Sequence, residues 1–391
     1  MASPQNPATM DDLSEDVLSN IFIRLLAKQL AQMRCLSKSW NTLLSQSSFI
    51  KSHLNRSIKN NDPVLLIFNE LFPSNKPFTA HPSRSPNREL TNFVKIPIVS
   101  PTDFAAGLLI GSFNGLLCFA YKCRIYICNP SLSAVLTLPP FSNRTSGYII
   151  IEMTFRFAFD PRTEDYKVIK LSTFLLPHNA DPALADFQNV EIYSMRNRSW
   201  KFINQRFPWR VKYLSKQDEV HGDGHDGYLH WLGYVDDERK VQTIITFDLS
   251  VERFREIPPP DSIQESDGNR RNYLGTLAGK LCVMSSIEDG GVEVWVSMDR
   301  VTASWVKRYV FSQFTGAIIP FGFTLHNEFL FEKLGDCRLS LYDPVSKKVK
   351  RFKKRGKCDG LTKVVGYVDS LVWVNPAMCD VSCCNISRLQ I

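Results

Sequence analysis

The chain has 391 residues, 44% hydrophobic and 22% charged, an ordinary globular composition with length for one to three domains whose cores need no disulfide or metal staple. It holds no run of 18 apolar residues, which excludes a transmembrane helix, and its polar, acidic opening (MASPQNPATMDDLSED) is expected to be neither a signal nor a transit peptide. The net charge of +8 comes from one run, Lys347 to Lys357, with eight basic residues and no acid; the remainder is neutral, at 39 basic and 39 acidic residues. Nucleic acid is therefore not an expected partner, since phosphate-tracking proteins carry a broad basic footprint.

Residues before about 60 are patterned as helices. Leu13, Val17, Leu18, Ile21, Phe22 and Leu25 recur with the spacing of one helical face, with Ser14 placed to cap and Glu15 and Asp16 in the first turn. A second short helix carries Leu30, Met33 and Arg34, a third Trp40, Leu43 and Leu44, and a further turn Phe49, Ile50, His53 and Leu54. Helices this short need a partner or a neighbouring domain to bury enough surface.

Residues 13–54 resemble the F-box. The resemblance runs through Leu13, Glu15, Leu18, Ile21, Arg24-Leu25, Lys28, Leu30, Arg34-Cys35, Ser37-Lys38-Ser39-Trp40, Phe49 and His53-Leu54. Two departures stand out: Leu13-Ser14 where the family has Leu-Pro, and Arg24-Leu25-Leu26 where it has Arg-Leu-Pro. Ser14 is expected to cap in place of the first proline and Leu26 to be buried in place of the second.

After residue 60 the period becomes that of strands. One signature recurs six times: alternating apolar residues, then Asn, Asp or Ser, then an apolar or aromatic residue six positions on. Its anchors are Asn129, Asp160, Ser194, Asp248, Asp299 and Asp343, answered by Val135, Tyr166, Trp200, Phe254, Trp305 and Val349. The anchor side chain starts a turn by accepting backbone N–H groups, and Pro130, Pro161 and Pro344 pre-set the next φ. The intervals of 31, 34, 54, 51 and 44 residues fit propeller blades of roughly 40–50 residues for the last three, while the first two are short enough for hairpins to share a blade. The fold class expected is α+β multidomain: a small all-α N-terminal unit, then a large all-β domain forming an irregular, kelch-like β-propeller of about five to seven blades, whose closure hides strand edges. A sandwich or two smaller β-domains are the alternatives.

Among the ten cysteines, Cys118, Cys123 and Cys128 are expected to flank a hairpin as reduced strand residues, and Cys379, Cys383 and Cys384 lack metal spacing. The basic run reads as a nuclear-import signal, a local anionic contact or, in preference, the solvated face of a strand and its turn. His221, His225 and Asp226 have no standard ligand spacing and sit in a glycine-rich turn, while His230 beside Trp231 is expected to be packed in a strand. No G-x-S-x-G, H-E-x-x-H or Walker A loop occurs, so no enzyme activity, catalytic residue, metal or cofactor is expected.

The same region resembles the F-box-associated interaction domain of plant F-box proteins. Gly111–Cys118, Asn129-Pro130 with Leu138-Pro139-Pro140, Phe157–Lys167, Gly227–Leu232, Phe247–Pro258 and Leu341–Pro344 follow in that family's order. The expected organisation is a disordered segment at 1–10, the F-box at 11–56, the β-domain at 62–375 and a tail at 376–391.

Together the resemblances imply the substrate receptor of an SCF-type ubiquitin ligase, acting in the cytoplasm, the nucleus or both, with no membrane partner. The F-box would dock on a Skp-type adaptor, linked to cullin and RING subunits, and the β-domain would capture an unidentified target protein. Adaptor contact is expected at Leu13, Ser14, Val17, Leu18, Ile21, Leu25, Leu30 and Trp40. Target contact is expected at loops (Phe72–Asn92, Pro177–Asn189, Lys212–Gly227, Pro258–Asn272), with Trp209 and Tyr213 as anchors, although Trp209 covering a strand edge is an equal reading. The alternative function is a protein-binding scaffold with a degenerate F-box.

Overall fold

The computed structural model describes residues 13–60, 64–69, 78–90, 108–121, 124–141, 149–175, 189–203, 205, 207–215, 226–236, 238–263, 270–288, 290–299, 304–335, 338–352 and 362–374. The segments expected to be a disordered N-terminus (1–10) and a tail (376–391) lie outside them, as do His221, His225 and the C-terminal cysteines. Among the described residues, four helices come first, α1 (Glu15–Phe22), α2 (Ala27–Met33), α3 (Lys38–Ser45) and α4 (Ser47–Asn60), and all later regular structure apart from short 3₁₀ turns is strand.

The strands build six sheets. In chain order, β1 (Val64–Asn69) and β2 (Phe78–Pro82) begin the first. The second holds β3 (Leu108–Phe113), β4 (Leu116–Tyr121), β5 (Arg124–Asn129) and β6 (Ala134–Thr137). The third holds β7 (Ile149–Asp160), β8 (Asp165–Leu175), β9 (Asn189–Ser194) and β10 (Ser199–Phe202). The fourth holds β11 (Tyr213–Leu214), β12 (Tyr228–Tyr234), β13 (Gln242–Asp248) and β14 (Arg253–Ile257). The fifth holds β15 (Arg270–Leu277), β16 (Lys280–Ile287), β17 (Val292–Asp299) and β18 (Ser304–Phe311). The sixth holds β19 (Ile318–Phe323), β20 (Phe329–Lys333), β21 (Leu339–Asp343) and β22 (Lys348–Arg351). The last strand, β23 (Thr362–Tyr367), then returns to the first sheet, giving the order β2-β1-β23.

This is a six-bladed propeller, and its core is six seams rather than one centre. Each blade buries both faces, so period-two alternation sends successive side chains to opposite neighbours. On β1, Val64, Leu66 and Phe68 pack against Leu117 and Phe119 of blade two, while Leu65 and Ile67 pack against Leu330 and Leu341 of blade six. Blades two and three meet through Ile127, Phe157 and Tyr166, and three and four through Ile169, Ile192, Leu229 and Trp231. Val283 and Leu232 join blades four and five, and Val294 and Phe329 join five and six.

The recurring hairpin is an Asx turn with a fixed shape. Asn129, Asp160, Asp248 and Asp343 accept, through Oδ1, the N–H two residues on at 3.0, 3.1, 2.8 and 2.9 Å. Ser133, Glu164, Arg198, Glu252 and Lys347 then reverse the chain at positive φ (50–56°), the conformation that lets a four-residue loop close. At five of the six anchors the residue six later pairs across the hairpin with the one before the anchor, as in Phe159↔Tyr166 and Phe247↔Phe254, while a bulge between Ser297 and Asp299 sets Trp305 opposite Ser297. Five anchors begin the outer hairpin of a blade. Asp160 begins the inner hairpin of blade three, so it shares that blade with Ser194, which accounts for the short intervals. Cys118 and Cys128 lie buried on neighbouring strands β4 and β5, and burial pushes both thiols up, well outside the reactive range.

Polar groups also clamp blade to blade. Lys167 Nζ donates to Asp160 Oδ2 at 2.8 Å and, across the seam, to the Leu249 carbonyl of blade four at 2.7 Å; Ser250 Oγ donates back to Asp160 Oδ1 at 3.0 Å. Burial would raise the Asp160 carboxyl, but hydrogen bonds from Lys167, Thr163 and Ser250 outweigh it and hold it at about 2. A depressed carboxylate contributes stability that is complete above its unfolded value and is lost as pH falls through the folded one. Stability is therefore expected to drop by about 2 kcal/mol between roughly pH 4 and pH 2 through this group. Urea unfolding of Asp160→Asn across that range should show a lower midpoint at neutral pH and a shallower acid slope.

Candidate functional site

The residues expected at contacts fall in two places, on the helices and at the far end of the propeller. Ser14 caps α1, its Oγ accepting the Val17 N–H at 3.4 Å, and Glu15 and Asp16 complement the helix dipole. Leu18 and Phe22 then face inward, with the Phe22 ring edge-on to Trp40 at 5.3 Å. Leu13, Val17 and Ile21, spaced four apart, face outward, exposed at 39%, 44% and 39%. An unpartnered apolar stripe of this kind marks an interaction surface.

Of the eight residues expected at the adaptor contact, the structure aligns Leu13, Val17 and Ile21 on one exposed face, with exposed Ser14 capping beneath it. Leu25 and Trp40 are half-buried, and Leu18 and Leu30 lie in the helical core with Leu43, Leu44 and Phe49. Leu18 and Leu30 thus have no outward face and support the stripe from below. Leu26, expected to be buried, is 57% exposed: it occupies the extended N-cap position of α2, where its N–H, which a proline would lack, donates to Gln29 Oε1 at 3.0 Å. Leu36, which sequence reasoning did not single out, is exposed at 74%. Both sit in turns between helices, where periodicity carries no signal.

The helices are seated on the propeller. α2 packs on the 3₁₀ turn Pro130–Leu132 of blade two, and Leu371, just past β23, is fully buried in the helical core. Leu26 has no side-chain oxygen to cap α2, and Asp369 supplies it: Oδ2 accepts the Ala27 N–H at 2.6 Å while Oδ1 accepts from Ser131 Oγ at 2.6 Å. Asn129 Nδ2 holds the same segment through the Ser370 and Val372 carbonyls at 2.9 and 2.8 Å. Gly115 lets it approach, since at φ 81° a Cβ there would fall 2.4 Å from the Ser370 side chain. Arg34, buried, donates to Asn41 Oδ1 and Ser45 Oγ at 2.8 and 2.7 Å and stacks over Trp373 at 4.5 Å. His53 Nε2 donates to the Leu25 carbonyl at 2.9 Å, and Lys51 pairs with Glu164 on the blade-three turn.

The helices are met by the outer-hairpin turn of blade two, the inner-hairpin turn of blade three and residues 368–374, all at one end of the disc. Strands alternate direction, so the connections between blades lie at the other end. Trp209, 86% exposed, stands in the connection entering blade four, and Tyr213 opens β11 there with the Arg239 guanidinium 4.6 Å above its ring. The structure therefore brings both expected anchors to the face away from the helices. Of the loops expected beside them, Phe72–Asn92 contains β2 and Lys212–Gly227 contains β11, and most of Pro177–Asn189 lies outside the described residues. His230 is buried in β12 and Trp231 is fully buried. Among the described residues no three His, Cys, Asp or Glu side chains cluster as a metal site, and no helix is long and apolar enough to cross a membrane. Lys347–Arg351 form the outer turn and edge strand of blade six.

Comparison with known proteins agrees with both halves. Residues 10–52 match the F-box domain, and residues 64–363 match the F-box associated beta propeller domain. F-box protein CPR1 of Arabidopsis thaliana is 24% identical over 322 residues, covering 76% of this chain and 72% of that protein. F-box protein At3g07870 of the same plant is 27% identical over 317 residues, covering 77% and 72%. F-box/kelch-repeat protein At3g23880, also of Arabidopsis, is 25% identical, covering 78% and 80%.

The cap from Asp369 is testable. Asp369→Ala should cost about 1–2 kcal/mol and speed amide hydrogen exchange across residues 27–33, while the blade-four and blade-five strands keep their protection.

Proposed function

The chain belongs to the F-box proteins that carry an F-box associated beta propeller domain, and from that premise we propose that it is the target-recognition subunit of a Skp–cullin–F-box ubiquitin ligase. The observation that carries the reading is the apolar stripe of Leu13, Val17 and Ile21, with Leu26 and Leu36 also exposed, on helices fixed to the propeller. The stripe takes a Skp-type adaptor, with Ser14 capping beneath it, Leu25 and Trp40 at its margin, and Leu18 and Leu30 holding it from the core. Through the adaptor the chain joins cullin and RING subunits in the cytoplasm or nucleus.

At the opposite face, Trp209 and Tyr213 are proposed to anchor the target protein, Trp209 as an exposed aromatic of the kind that dominates interface hot spots. No bond chemistry falls to this chain. Its work is to hold the target near the activated ubiquitin, raising the effective concentration of target lysines there. A fixed seat for the F-box supports this, since a floppy joint would dilute that concentration.

Capture of a plant Skp-type adaptor by the full chain is the test. Wild type should bind, and Val17→Asp or Ile21→Asp should weaken capture by more than about 30-fold, which is about 2 kcal/mol. Trp209→Ala should leave capture intact. Leu18→Ala should lower stability by about 2–4 kcal/mol, as a core truncation does, before it affects capture. Failure of the folded wild type to capture adaptor would overturn the ligase reading.

A further inference from the structure

The seam between blades four and five changes character along its length. Toward the blade-connection end it is apolar: Leu232, Ile244 and Ile257 stand side by side across β12, β13 and β14 and pack on Leu274, Leu281 and Val283. Two residues along, the paired row is His230, Thr246 and Arg255. Here the blades part around a cavity of about 220 Å³, closed on the blade-five side by Lys280, Leu281, Ser297 and Met298.

Three polar side chains of this cavity, those of Thr246, Arg255 and Lys280, have no partner among the described residues. Thr246 is buried, and its Oγ1 has no hydrogen-bond partner among the described residues. No hydrogen bond or ion pair engages the side chains of Arg255 and Lys280 among the described residues, although both line the space. The lining carries one carboxylate, Asp226, whose Oδ1 is turned to the Tyr228 N–H at 3.2 Å. Two unpaired cations against one engaged carboxylate leave the site short of negative charge. Tyr228, Ile257, Leu281 and Met298 supply apolar wall beside them.

We propose that this cavity is a binding site for an anionic group on an apolar stem, a carboxylate or a phosphoryl ester, held by Arg255 and Lys280 with Thr246 Oγ1 as a hydrogen-bonding contact at its floor. Two cations and a hydroxyl on three strands of two blades line one space, while the wall takes the stem. Tyr228, Lys280 and Met298 lie at strand ends on the disc face that carries the helices. The site thus opens on the face away from Trp209 and Tyr213, and it stands independently of the receptor role proposed above.

The test uses the full chain labelled at its methionine methyl groups, with the Met298 resonance assigned by Met298→Leu. Phenyl phosphate, benzoate and the neutral control benzyl alcohol are titrated at constant ionic strength. The Met298 methyl is expected to move with one or both anions and not with the control. Phenyl phosphate alone would identify a phosphoryl ester as the ligand, benzoate alone a carboxylate, and both together the shared anionic chemistry. Arg255→Gln with Lys280→Gln should weaken binding at least tenfold, Thr246→Val should weaken it several-fold, and Lys347→Gln with Lys348→Gln on the separate basic edge should leave it unchanged. No movement, equal movement with benzyl alcohol, or unchanged binding in the Arg255/Lys280 variant would overturn the proposal. The same variant is assayed for adaptor capture, so loss of the anion site is distinguished from loss of the ligase role.

Discussion

Pairing of β1 with β23 is the constraint on which the rest depends. Val64↔Tyr367 through Asn69↔Thr362 place residues some 300 positions apart in one antiparallel ladder, and only with that ladder made does the first sheet have an inner strand. Without it, blades six and two would each expose an apolar face, since Leu65 and Val364 cover one and Leu66 and Tyr367 the other. The other four seams lie between blades each continuous in sequence. The two beside blade one require the chain to return, and the loop-closure entropy of that return is offset by both at once.

Closure also decides where the F-box sits. Directly after β23, residues 368–374 pass under the disc and contribute Asp369 to the cap of α2, Leu371 to the helical core and Trp373 to the Arg34 stack. The same few residues that end the ring therefore complete the helical unit. A stripe of exposed leucine, valine and isoleucine is held in a set direction relative to the far face with Trp209, because nothing flexible lies between them among these contacts.

Much of this was legible in the residues. The six-residue hairpin signature reads correctly because its cause is local: an Asx side chain, a four-residue loop and a large residue opposite the strand end. Its two short intervals mark the inner and outer hairpins of blade three. Blade one escaped, since the six-residue signature was not read between β1 and β2 and β23 offers only a short apolar run. The α1 stripe follows from helical spacing, although the division into inward Leu18 and outward Val17 and Ile21 needed the packed neighbours. Leu26 was misjudged because burial was expected from the proline it replaces, whereas its N-cap geometry turns the side chain out. Asp369 could not be foreseen at all: it caps a helix 342 residues away in the chain.

The threading of residues 368–374 has a consequence for synthesis. The F-box leaves the ribosome first, yet Leu371 and Asp369, which finish its core and its second helix, are made more than 300 residues later. A chain broken off before Thr362 would hold an open ring and a helical unit missing an interior side chain. Such a fragment presents neither half in finished form, so loss of the last strand undoes the first helices together with the ring.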